Sequence, residues 1–101
     1  MIKVGNKRKG DVGEYIARPS PLGNPFYMSS EAERDSVCDR YEAWLDRKIA
    51  ENDVLVMSEL SRLMAIHQKT GELTLVCWCA PRRCHGDVIK AVLEQMDVDN
   101  G

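Results

Sequence analysis

A chain of 101 residues, 44% hydrophobic and 30% charged, has the apolar content for one core and not for two. Its net charge of -2 excludes the overall basicity of a typical nucleic-acid or membrane-surface binder. No biased tract or internal repeat interrupts it, and residues 1–7 hold no apolar run long enough for a signal peptide or a membrane span. The expected compartment is therefore the reducing cytoplasm, where four cysteines are core residues, metal ligands or catalytic thiols rather than disulfides.

In chain order, Ile2 and Val4, then Tyr15 and Ile16, flank a polar segment with Gly10 and Gly13, a pattern that predicts a short hairpin. The basic run Lys7-Arg8-Lys9 within it reads as a solvated turn. Residues 18–26, Arg-Pro-Ser-Pro-Leu-Gly-Asn-Pro-Phe, predict a rigid non-helical loop, because proline fixes φ and holds the residue before it extended. Ser30 followed by Glu33 fits a capping box and predicts a helix start. Val37, Tyr41, Trp44, Leu45 and Ile49 then recur at helical spacing, with Cys38 bordering the stripe as a core thiol. Asp53 is placed to cap a second helix whose stripe is Val56, Leu60, Leu63, Met64 and His67, with Gly71 as its stop. His67 reads as a partly buried structural histidine. Residues 73–79 are apolar on nearly both faces, which suits a central strand with Cys77 and Cys79 on one side. A last helix follows, with Val88, Ile89, Val92, Leu93 and Met96 on its buried side and a polar tail at 97–101 that is expected to fray.

Three of the four cysteines fall in the segment Cys77-Trp78-Cys79-Ala80-Pro81-Arg82-Arg83-Cys84-His85. Cys84 and His85 fall at the start of the last helix, where unpaired N–H groups and the helix dipole favour negative charge, and Arg82 and Arg83 add two cations. Four readings fit this corner. It binds an anionic group, with Arg82, Arg83 and Arg18 as counter-charges. Cys84 is a nucleophile or redox thiol assisted by His85 or Asp87. Cys77, Cys79, Cys84 and His85 hold zinc, although the spacing lacks paired ligand knuckles. Or the cysteines pack a tight loop as small apolar residues. The five residues between Cys77 and Arg83 match the spacing of cysteine-dependent phosphatases, but this loop has no glycine, and Pro81 removes one N–H.

The segment from Ile16 to Phe26, together with Cys77-Trp78-Cys79-Ala80-Pro81 and Cys84-His85-Gly86-Asp87, resembles a small bacterial and phage family catalogued as domain of unknown function 4326. The resemblance covers nearly the whole chain. Ala17 stands where the family pattern often has glycine. It implies that the proline loop and the cysteine loop form one shared feature, and that a phage protein of this size binds a host enzyme.

The expected fold is α/β (α+β), one domain over 1–101, with a small three-stranded mixed sheet in the order β-β-α-α-β-α and helices packed on it. Ligands in such sheets gather at the carboxyl ends of strands. The leading expectation is a pocket between the two loops for a nucleotide or other phosphorylated small molecule, built from Arg18, Ser20, Asn24, Arg82 and Arg83. Cys84, His85 and Asp87 are the candidates for cysteine-dependent chemistry. The alternatives are a non-catalytic phage accessory protein that binds a host protein, and a small zinc-binding domain. No other cofactor and no membrane partner are expected.

Overall fold

In the computed structural model, which describes residues 1–100, three strands and three long helices follow one another in the expected order. These are β1 (Ile2–Asn6), β2 (Glu14–Tyr15), α1 (Arg34–Ala50), α2 (Val54–Thr70), β3 (Leu73–Cys77) and α3 (His85–Asn100). Short 3-10 turns cover Lys7–Lys9 and Glu31–Glu33.

The sheet corrects one expectation. β1 and β2 do not pair as a hairpin; β3 lies between them and runs parallel to both, so the sheet is parallel rather than mixed. The physical reason lies in the connection. After β1 the chain turns back through the 3-10 turn and passes from one side of β3 to the other. Gly13 sits so close to β3 that a Cβ on it would stand 2.4 Å from the Thr74 carbonyl oxygen. Only glycine permits that approach, and the approach delivers β2 to the free edge of β3. β3 is also shorter than its apolar run, ending at Cys77 rather than Cys79. Four of its five residues are buried, as befits a strand paired on both edges.

Each helix buries the stripe that its periodicity predicts. Val37, Cys38, Tyr41 and Leu45 of α1, Val56, Leu60, Leu63 and Met64 of α2, and Val88, Ile89 and Leu93 of α3 join Leu73, Leu75 and Cys77 of β3 in the core. The Asp53 carboxylate accepts the Val56 N–H at 3.1 Å and starts α2, and Gly71 ends it at φ 78°. α1 starts differently from the expected capping box: the hydroxyl that meets the Glu33 carboxylate belongs to Ser29, and Ser30 makes no side-chain cap. A 3-10 turn intervenes, so the α-helix proper begins at Arg34. α3 runs through residues 97–100, where the polar composition predicts fraying; Gly101 lies outside the described residues. His67 is partly buried, with Nε2 3.5 Å from Asp97. No helix among the described residues is long and apolar enough to cross a membrane.

Candidate functional site

Because all three strands are parallel, their carboxyl ends, at Asn6, Tyr15 and Cys77, lie along one sheet edge. The proline loop leaves from the end of β2 and the cysteine loop from the end of β3. Parallel sheets place ligand crevices at this edge, because the connecting loops splay apart there. The two loops meet around a cleft of about 540 Å³.

Five hydrogen bonds fix the two loops, to each other and to the elements behind them. The Ile16 N–H extends the pairing of β2 to the Val76 carbonyl at 3.1 Å. The Ile16 carbonyl accepts from His85 Nε2 at 2.9 Å. The Trp78 indole N–H donates to the Tyr15 hydroxyl at 3.2 Å, which donates in turn to the Arg18 carbonyl at 3.0 Å. Behind the proline loop, the Tyr41 hydroxyl donates to the Leu22 carbonyl at 2.6 Å, with both side chains fully buried. The proline loop also closes on itself: a Cβ on Gly23 would lie 2.8 Å from the Arg18 nitrogen, so the turn tolerates only hydrogen at that point.

The sequence candidates separate into two groups. Arg18, Asn24, Cys77, Cys79, Cys84 and His85 line the cleft. Arg18 stacks its guanidinium on the Tyr27 ring at 4.0 Å. Asn24 accepts the Phe26 N–H at 2.9 Å, which leaves its amide NH₂ for other partners. Ser20, Arg82, Arg83 and Asp87 are engaged elsewhere. The Ser20 hydroxyl accepts the Leu22 N–H at 3.2 Å within its own turn. Arg82 pairs with Glu31 at 2.8 Å, and Arg83 with Asp35 at 3.1 Å and Asp39 at 2.9 Å, so both cations brace the loop against the acidic start of α1. The phosphatase-like spacing from Cys77 to Arg83 therefore does not bring that guanidinium over the thiol. Asp87 caps α3, its carboxylate accepting the Cys84 N–H at 3.1 Å.

Three site residues carried no recognised sequence signal. Arg8, read as part of a solvated basic turn, lines the cleft, and so does Arg34 from the first turn of α1. Arg34 holds Glu31 through Nε at 2.8 Å and Nη2 at 2.7 Å, and donates from Nη1 to the Arg83 carbonyl at 2.8 Å. That pairing, reinforced by Arg82, keeps the Glu31 carboxyl at about 2, well below its ordinary range. Asn6, buried at the end of β1, donates from Nδ2 to the Ala80 carbonyl at 2.8 Å and accepts the Arg8 N–H at 2.8 Å, joining β1 to the cysteine loop. An asparagine at a strand end followed by a basic turn was the available clue.

The thiols are not equivalent. Cys77 and Cys84 are 1% and 3% exposed, and their sulfurs stand 3.2 Å apart at the cleft floor. The hydrogen bond with Cys84 lowers the Cys77 thiol below its ordinary value, helped by the backbone N–H groups of Cys79 and Ala80. The same contact, with burial, raises the Cys84 thiol, although its sulfur accepts the Gly86 N–H at 3.3 Å. One contact thus shifts the two thiols in opposite directions. Burial raises the Cys38 thiol. Cys79 is only partly buried and lies beside the Arg34 guanidinium. Among the described residues, no group of three or more histidine, cysteine or acidic side chains is arranged to hold a metal ion.

His85 packs edge-on against Tyr41 at 5.1 Å, and burial lowers its imidazole below the ordinary 6.5. The neutral ring donates through Nε2 to Ile16, leaving Nδ1 as the acceptor. The unfolded chain binds a proton at His85 before the folded one does. Stability from this group is complete above about pH 6.5 and is lost as pH falls through the lowered folded value. Denaturation midpoints measured between about pH 7.5 and about pH 5 should fall more steeply for the native chain than for His85→Gln, which keeps a donor for Ile16 and does not titrate. Parallel slopes would remove His85 from this role.

The family described as "Domain of unknown function (DUF4326)" matches residues 2–95, from β1 into the last turns of α3. The chain belongs to the DUF4326 family. The match takes in both loops and every element that positions them, so the cleft of this DUF4326 chain lies wholly inside the family's bounds. Neither the curated proteins nor the solved structures compared with it gave a match.

Proposed function

We propose that this DUF4326 chain binds a nucleotide or another phosphorylated small molecule in the cleft between its two loops. The observation that carries the reading is the meeting of Arg8, Arg18 and Arg34 with the rings of Phe26, Tyr27 and Trp78 around one crevice at the carboxyl edge of a parallel sheet. Guanidinium groups match phosphate oxygens in geometry and charge. Aromatic faces suit a planar base. Trp78 keeps 44% of its surface exposed. The cleft also falls within the usual size of small-ligand sites, about 300–1,000 Å³. Arg34 is already engaged by Glu31 and the Arg83 carbonyl, which offset its charge, whereas Arg8 and Arg18 form no ion pair among the described residues and are available to an anion.

Calorimetric titration with nucleoside mono-, di- and triphosphates tests this. One of the series should bind once per chain, and Arg18→Ala should weaken it roughly tenfold to a hundredfold, the worth of a charge-assisted hydrogen bond of about 1.5–3 kcal/mol. Lys69→Ala, on the exposed end of α2, should leave the affinity unchanged. Absence of binding across the series, or equal affinity in Arg18→Ala, would contradict the reading.

A further inference from the structure

We propose that Cys77 and Cys84 form a peroxide-sensitive dithiol at the cleft floor, which closes into an intramolecular disulfide. The proposal stands on geometry and does not depend on what else the cleft binds.

The two sulfurs approach to 3.2 Å, within van der Waals contact, although seven positions separate the residues. Closing a bond of about 2.0 Å asks for little further movement. Both thiols line the cleft while being nearly sealed from bulk water, so a small neutral oxidant can reach them and a protein disulfide cannot. Each sulfur also has a fixed backbone partner: Cys84 Sγ accepts the Gly86 N–H at 3.3 Å, and Cys77 Sγ faces the Gly5 carbonyl at 3.8 Å. Cys38 has no such partner thiol among the described residues, and Cys79 stands by Arg34.

The chemistry balances with hydrogen peroxide as the oxidant. One of the two sulfurs, as its thiolate, attacks a peroxide oxygen; the S–O bond forms, the O–O bond breaks, and hydroxide leaves. That hydroxide takes the proton of the partner thiol and departs as water. The partner thiolate then attacks the sulfenic acid; the S–S bond forms, the S–O bond breaks, and a second hydroxide leaves to take a proton from solvent. Two thiol sulfurs are oxidised by one electron each, and one peroxide is reduced. The product ties the end of β3 to the start of α3 and closes a covalent ring around the loop that walls the cleft.

Treating the reduced native chain with hydrogen peroxide, alkylating the remaining thiols under denaturing conditions and mapping peptides by tandem mass spectrometry tests the proposal. The expected product is one disulfide joining Cys77 to Cys84, with Cys38 and Cys79 alkylated. In Cys84→Ser the reaction should stop at a Cys77 sulfenic acid, trapped by a 1,3-diketone. Four free thiols at peroxide levels that oxidise free cysteine would overturn it, as would a bridge through Cys79. The native-chain map decides the question even if the variant does not fold.

Discussion

Replacing Tyr41 with alanine is expected to cost about 3–5 kcal/mol, the range for truncating a buried aromatic side chain. Tyr41 is fully buried on α1, packs against Trp44 and the edge of His85, and donates its hydroxyl to the Leu22 carbonyl. One side chain thus supports the proline loop, the start of α3 and the core. Truncation leaves a void and strands a buried carbonyl. A domain of this size has only about 5–15 kcal/mol of net stability, so a large share of it would go. Tyr41→Phe separates the two contributions. It keeps the ring and loses only the bond to Leu22, for an expected cost of about 1–3 kcal/mol. Urea denaturation measures both. A loss below about 1 kcal/mol in Tyr41→Ala would show that the loop does not lean on α1 in this way.

The second large effect is expected at Asn6. Its side chain satisfies the Ala80 carbonyl, bonds the Trp78 carbonyl at 3.3 Å and accepts the Arg8 N–H, all beside the cleft. Asn6→Ala should cost about 2–3 kcal/mol, because the buried Ala80 carbonyl and the Arg8 N–H lose partners together. Asn6→Asp is the sharper control. It restores an acceptor for Arg8 but turns a carboxylate oxygen toward the Ala80 carbonyl, so it should not rescue stability. Asn6→Ala should also weaken ligand binding beyond its effect on folding, since Arg8 and the cysteine loop are both positioned through this amide. Recovery of native stability in Asn6→Asp would contradict the assigned hydrogen bonds.

Much of this was legible in the chain itself because it rests on local chemistry. The stripes of α1, α2 and α3, the Asp53 cap and the Gly71 stop all depend on residues within a turn or two of one another. The cleft was legible for a different reason: the proline loop and the cysteine loop each follow a strand, and strand ends gather ligands. Partnership between distant segments was not legible. Ile2 and Val4 read as strand residues, but nothing in their pattern says that β3, some seventy residues later, takes the place beside them that a hairpin would give to β2. Arg82 and Arg83 sit where cations should greet an anion, yet Glu31 of the 3-10 turn and Asp35 and Asp39 of α1 claim them from a segment whose proximity only the fold establishes. Arg34 and Arg8 enter the cleft by the same long-range packing. The thiols show the limit most clearly. Position at a helix start argues for a lowered Cys84 thiol, but contact with Cys77 and burial raise it.

Amide chemical-shift mapping during titration with a nucleoside triphosphate decides whether both loops build the proposed anion cleft. Arg18 and Asn24 of one loop and Cys79, Ala80 and His85 of the other should shift together along one saturation curve, while Val92 and Gln95 on the far part of α3 stay still. Shifts confined to a single loop, or scattered over surface lysines without saturation, would contradict it.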